Sequence, residues 1–200
     1  MKWNRFIWQY LLGTIGVVWL IISYTPYNDF VANCIRGVGI ALVIVGVIGR
    51  LYATMFIGGM KNEGADGNSF IDYGAYSLCR NPLYLFSFIG FLGILALKAQ
   101  LILIILGGIL FLWIYRMTIL GEENFLSQRF GEKYQQFLQN TSRFFPSFAH
   151  FSCPEKIEVR PKFFHKELRR ALNWFIGVVA ILVIEVLHNY EILPNFYMMY

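Results

Sequence analysis

The chain has 200 residues, of which 57% are hydrophobic, 18% aromatic and only 14% charged, with a formal net charge of +5. That balance is too apolar for a soluble domain built on one ordinary core, and its basic residues form no aromatic-interleaved groove of the kind that binds nucleic acid. Cys34, Cys79 and Cys153 are too scattered for a disulfide framework or a metal site, and no metal is expected.

A bilayer core of roughly 30 Å needs about 20 mainly apolar residues per helix. The pattern recurs at Phe6–Tyr24, Ile35–Ile57, Pro82–Leu97, Leu101–Leu120 and Leu172–Tyr190, which predicts an all-α, multi-pass integral membrane protein with about five transmembrane helices. The first stretch follows Lys2 and Arg5 as a signal peptide would, but no small-residue cleavage site follows it, so it reads as a span. Arg50 near the end of the second span and Arg116 in the fourth are expected to snorkel to the headgroups.

Residues 58–81 form the first polar segment, where Gly58, Gly59, Gly64, Gly67 and Gly74 suit turns and no dinucleotide or phosphate-loop fingerprint is present. The apolar run from Pro82 to Met117 is too long for one crossing and predicts a helical hairpin turning at Lys98-Ala99-Gln100. After the fourth span, Phe125, Leu126, Phe130, Tyr134, Phe137 and Leu138 recur at helical spacing and predict an interfacial amphipathic helix broken at Gly131. Residues 147–200 read as a basic loop followed by the fifth span. Lys162–Arg170 is expected to anchor at anionic lipid, His150 and His165 to be solvated, and Glu185 to be an interfacial carboxylate near His188.

Cytoplasmic loops retain excess Lys and Arg. With the amino terminus inside, Lys2, Arg5, Lys61, Arg80, Arg129, Lys133, Arg143, Lys156, Arg160, Lys162, Lys166, Arg169 and Arg170 fall on the cytoplasmic side, and only Arg36 and Lys98 fall outside. Both polar segments then share the cytoplasmic face, in an inner, plasma or ER-like membrane.

The most informative stretch is "SLCRNPLYLF", residues 77–86. Asn81 before Pro82 reads as an N-cap with proline in the first turn of a helix, and that helix start favours an anion. Glu122 and Glu123 follow the fourth span at the same face, and their adjacency points them about 100° apart, so they are not an acid–base dyad. An anion-favouring helix end beside two carboxylates suits a zwitterionic ligand.

The ordered set "GAYSLCRNPLY", "EE" and "FGEKYQQFLQNTSRFFP" resembles the membrane methyltransferases related to isoprenylcysteine carboxyl methyltransferase and the phospholipid N-methyltransferases. The match runs over about residues 40–146, within a single membrane domain spanning 1–200. The resemblance implies S-adenosylmethionine as cofactor, bound on the cytoplasmic side by Tyr76, Arg80, Asn81, Pro82, Tyr84, Glu122 and Glu123, with Arg143, Tyr84 and Glu123 as catalytic candidates and Arg143 steering an anionic acceptor. Asn81 stands where the eukaryotic enzymes carry His, Ala75 replaces a common Pro, and the loop before Tyr73 is longer than usual. The implied activity is methyl transfer to a lipid or a lipidated small molecule or protein, foremost carboxyl O-methylation of an isoprenylcysteine-like substrate. Phospholipid N-methylation, an NADPH-dependent membrane reductase and a non-enzymatic membrane scaffold are the alternatives.

Overall fold

The computed structural model describes residues 5–57 and 70–199, with side chains from residue 13 onward. Expectations for Lys2, Gly58, Gly59, Lys61, Gly64 and Gly67 fall outside the described residues. The apolar segments form five helices: α1 (Arg5–Ile22), α2 (Asp29–Ile57), α4 (Pro82–Ala96), α5 (Leu101–Asn140) and α6 (Pro161–Asn189). A one-turn α3 (Ala75–Leu78) precedes α4. Helices α2, α5 and α6 are long and apolar enough to cross a membrane. Their outer faces carry exposed Ile44 and Ile48, Ile105 and Ile109, and Phe175 and Val183, a surface suited to lipid rather than water.

Helices α2 and α4 form the centre, and their contact depends on glycine. A Cβ on Gly46 would lie 2.7 Å from the Gly90 backbone, so the two backbones touch where a side chain would hold them apart. On its other side Gly90 accepts the Trp174 ring of α6. Val43, Leu97, Val178 and Ile181 complete this core.

The five helices run alternately between two polar ends. At one end the α4–α5 turn is buried under α1 and the carboxyl-terminal tail, and its groups need protein partners because they do not reach water. Lys98 is fully buried, donating to Glu185 Oε1 at 2.6 Å and to the Leu20 carbonyl at 3.1 Å. Arg36 pairs with the other Glu185 oxygen. Trp19 donates to Gln100 at 2.9 Å, Thr25 to the Ala99 carbonyl at 2.7 Å, and His188 Nε2 lies 3.1 Å from the Leu20 carbonyl. Short strands β1 (Ser23–Tyr24) and β2 (Tyr197–Met198) pair in parallel, Ser23 with Tyr197, and tie the tail down.

Several expectations are corrected here. Lys98 is not a loop cation facing water, and Glu185 is a buried bridging carboxylate rather than an interfacial one; long-range pairing decides both. Arg50 does not snorkel: its Nε donates to Glu167 Oε1 at 2.7 Å inside the bundle. Arg116 is exposed. The fifth span is longer than Leu172–Tyr190, because Pro161 opens α6 and the basic stretch Lys162–Arg170 is its first turns. What was read as a basic loop is therefore helix from residue 161, with Phe163 and Glu167 on the buried face. The fourth span and the amphipathic segment form one helix, α5, with a kink at Gly131 (φ 54°, ψ −132°) where the break was expected.

Candidate functional site

At the other end, the last turn of α2, the start of α4 and the second half of α5 enclose a cavity of about 300 Å³. Its entry segment is held by backbone bonds. Gly74 (φ 60°, ψ −130°) takes a conformation few side chains tolerate, and a Cβ there would meet the Phe56 ring at 2.2 Å. Gly74 N–H donates to the Ser152 carbonyl at 2.7 Å, Arg80 N–H to Ser142 at 2.9 Å, and Ser147 N–H to Leu78 at 2.9 Å. The stretch 74–80 is thus laced to 142–152, which brings Arg143 to the cavity although no local pattern in the sequence announces that pairing.

Pro82 occupies the first turn of α4 as expected, but Asn81 does not cap the helix with its side chain. Its carbonyl accepts from Tyr84 and Leu85 N–H, while its amide Nδ2 donates to the Arg143 carbonyl at 3.3 Å. Asn81 therefore joins the helix start to the loop that carries Arg143. It is 9% exposed and lines the cavity.

The polar wall is built by α4 and α5 together. The Tyr84 hydroxyl donates to Glu122 Oε1 at 2.8 Å. Arg143 forks onto Glu123, with Nε 3.2 Å from Oε1 and Nη2 2.9 Å from Oε2, and Arg80 Nη1 stands 3.5 Å from the same carboxylate. The two glutamates thus face different partners, one a phenol and the other two guanidinium groups. The Tyr76 hydroxyl and Arg80 Nε are buried with no hydrogen-bond partner among the described residues, and both residues line the cavity. Two unpaired donors beside one cavity call for an acceptor, which water, a ligand or an undescribed residue can supply.

Opposite stands an aromatic wall. Phe70 contacts Phe130, Tyr134 and Phe137 at centroid distances of 5.3, 5.0 and 5.3 Å. Phe70, Ile57 and Ile71 also line the cavity, and motif reasoning had passed over them because apolar residues carry no spacing signal of their own. The helical periodicity of Phe130, Tyr134 and Phe137 was the one available cue.

The phenols here are donors rather than bases. Burial pushes the Tyr76 hydroxyl well above the ordinary tyrosine range, helped by Cys79 and Glu122. Burial, then the Glu123 carboxylate, pushes Tyr134 up to about 12, and burial pushes the Cys79 thiol up to about 11. At neutral pH all three stay protonated.

The structure brings Tyr76, Arg80, Asn81, Tyr84, Glu122 and Glu123 to the cavity lining, and Arg143 to its edge through Glu123. Pro82 is fully buried behind that wall. His150 and His165 are exposed, and neither lines the cavity.

Residues 34–133, half of the chain, match the model of a family described as phospholipid methyltransferase. The nickel-cobalt-cadmium resistance protein NccN of Alcaligenes xylosoxydans xylosoxydans is 26% identical over 192 residues, covering 95% of this chain and 86% of that protein. The cobalt-zinc-cadmium resistance protein CzcN of Cupriavidus metallidurans is 26% identical over 176 residues, covering 88% and 78%. No solved structure matches the chain.

Proposed function

Since the chain belongs to the phospholipid methyltransferase family, we propose that it is a membrane enzyme that binds S-adenosylmethionine in this cavity and methylates a lipid-borne carboxylate, of which an isoprenylcysteine-like acceptor is the model substrate. The observation that carries the reading is the pair of orphaned donors, Tyr76 hydroxyl and Arg80 Nε, in the cavity that also presents Glu122. That donor set fits the cofactor. Arg80 and Tyr76 would take its carboxylate, Glu122 its ammonium or ribose hydroxyls, and the wall of Phe70, Phe130 and Tyr134 its adenine.

Bound there, the cofactor supplies an electrophilic methyl group on a sulfonium. The chain's own task is alignment and exclusion of water. Asn81 and Tyr84 would set the polar wall, and Arg143, whose side chain is 49% exposed at the rim, would attract an anionic acceptor.

A carboxylate is the acceptor these groups favour, because it is nucleophilic at neutral pH without a base. An amine would have to lose a proton. The nearby phenols Tyr76 and Tyr134 do not take one up at neutral pH, and Glu122 and Glu123 are engaged by Tyr84 and by Arg80 and Arg143. The basic loops would place this cavity at the cytoplasmic face. The names of the two relatives give the reading a cellular setting, resistance to nickel, cobalt, zinc and cadmium.

Calorimetry of detergent-purified protein with S-adenosylmethionine, S-adenosylhomocysteine and NADPH tests the cofactor. The two adenosyl ligands are expected to bind and NADPH not to bind. Binding of NADPH alone would favour the reductase alternative, and binding of none would favour the scaffold. Labelled methyl transfer in vesicles carrying either a farnesylcysteine analogue or phosphatidylethanolamine then tests the acceptor, and label on the amine lipid alone would overturn the carboxylate assignment.

A further inference from the structure

Helix α6 lies wholly outside the matched residues 34–133, yet through Arg50 of α2 it is linked to the first turn of the helix that forms the polar wall. Glu167, 4% exposed in the second turn of α6, accepts from Arg50 Nε of α2 at 2.7 Å. Arg50 Nη1 in turn donates to the Leu83 carbonyl at 3.3 Å and to the Ser87 hydroxyl, which itself donates back to the Leu83 carbonyl. Leu83 and its neighbours Asn81 and Tyr84 line the cavity. Arg170 Nη1 holds the second Glu167 oxygen at 3.0 Å, so both carboxylate oxygens are committed.

Within α4 the Leu83 carbonyl also takes the helix's own i+4 N–H, so Arg50 adds a charged donor that ties the first turn to α2, a turn that has no side-chain cap of its own. We propose that Glu167 is a positioning residue: by orienting Arg50 it fixes the first turn of α4, and so sets where Asn81 and Tyr84 stand at the cavity. The Glu167–Arg50 pair is then a device of the carboxyl-terminal helix acting on the site, beyond its contribution to folding. Its functional consequence rests on the methyltransferase reading, whereas the geometric relay does not.

Two variants separate positioning from stability. Glu167→Gln leaves Arg50 buried with a neutral partner and should lower both melting temperature and order in the first turn. In the double variant Arg50→Met with Glu167→Met the buried charges go together, so melting temperature should recover toward wild type while the anchor on Leu83 and Ser87 stays lost. Hydrogen exchange at Tyr84 and Leu85, whose N–H groups donate to Asn81, reads the relay directly. Exchange there should quicken in both variants, with the far end of α4 at Ile94–Ala96 unchanged. Affinity for S-adenosylhomocysteine should fall about three- to thirtyfold in both. Glu185→Gln, which removes the carboxylate paired with Lys98 and Arg36 at the opposite end, controls for destabilisation alone: it should lower melting temperature and quicken exchange at Ile94–Ala96, not preferentially at Tyr84 and Leu85.

Unchanged exchange at Tyr84 and Leu85 in the double variant would overturn the relay. Fast exchange with wild-type affinity would confine it to the fold and overturn its role at the site. A wild type that binds no S-adenosylhomocysteine would overturn the methyltransferase reading alone, and the exchange measurement would still decide the relay.

Discussion

Glu122 and Glu123 are neighbours in sequence with different tasks in space. Glu122 accepts from the Tyr84 phenol, whereas Glu123 neutralises Arg80 and Arg143. Glu122→Gln, in the cavity wall, should weaken S-adenosylhomocysteine binding by about 1.5–3 kcal/mol, one to two decades. Glu123→Gln should lower the melting temperature as well, since two guanidinium groups lose their counter-charge; calorimetry and thermal unfolding on the same samples compare the two. Asn81 gives a sharper case. Asn81→Asp replaces a donor to the Arg143 carbonyl with an acceptor, which should cost about 1–3 kcal/mol of stability even without ligand. An unchanged melting temperature for Asn81→Asp would show that this bond is not made, and the residue's role would then lie with the ligand alone.

At the scale of elements, helix packing is limited by backbone approach rather than by side-chain fit. Gly46 and Gly90 let α2 and α4 touch, and Trp174 of α6 fills the other side of Gly90. A larger residue at Gly46 has only backbone to push against, so Gly46→Leu should cost at least about 1–3 kcal/mol and shift α4, with loss of ligand affinity following. Gly37, with open space around a built Cβ, is the matched control, and Gly37→Leu should unfold at the wild-type temperature in detergent. The α4–α5 hairpin shows a second element-scale rule. Its turn is polar and buried, with Ala99 at φ 52°, and it is held by α1 and α6, which supply partners for Lys98 and Gln100, and by Arg36 of α2, which donates to the Leu97 carbonyl.

The whole molecule has two polar ends separated by a lipid-facing apolar belt, and the cavity belongs to one of them. Cys153 is exposed in the segment laced to the cavity's entry, one residue after Ser152, which bonds Gly74 and Ser77. A membrane-impermeant maleimide should label Cys153 only after the membrane is permeabilised if the cavity faces the cytoplasm, as the basic loops predict. Labelling of Cys153 from outside intact cells would invert the topology. Cys79, buried and with its thiol pushed up to about 11, should stay unlabelled at neutral pH, and the exposed Cys34 is first replaced by Ser so that Cys153 alone reports.

Local pattern alone determined the helical membrane class, the apolar segments, the hairpin turn at 98–100 and the kink at Gly131, because each follows from hydropathy and backbone preference within one segment. The ordered motif also placed Tyr76, Arg80, Asn81, Tyr84, Glu122 and Glu123 together as candidates, and these six line one cavity. What each side chain bonds was not legible. Asn81 keeps the N-cap position but spends its side chain on a loop tie, Arg50 turned from snorkelling cation to buried relay, and the turn residue Lys98 and the interfacial carboxylate Glu185 became a buried ion pair. Each of those outcomes depends on a partner at least 33 residues away, as in Arg50 to Leu83, and up to 149 away, as in Arg36 to Glu185. In a low-dielectric interior a charge takes whatever counter-charge packing brings within reach, and only the assembled bundle decides which one that is.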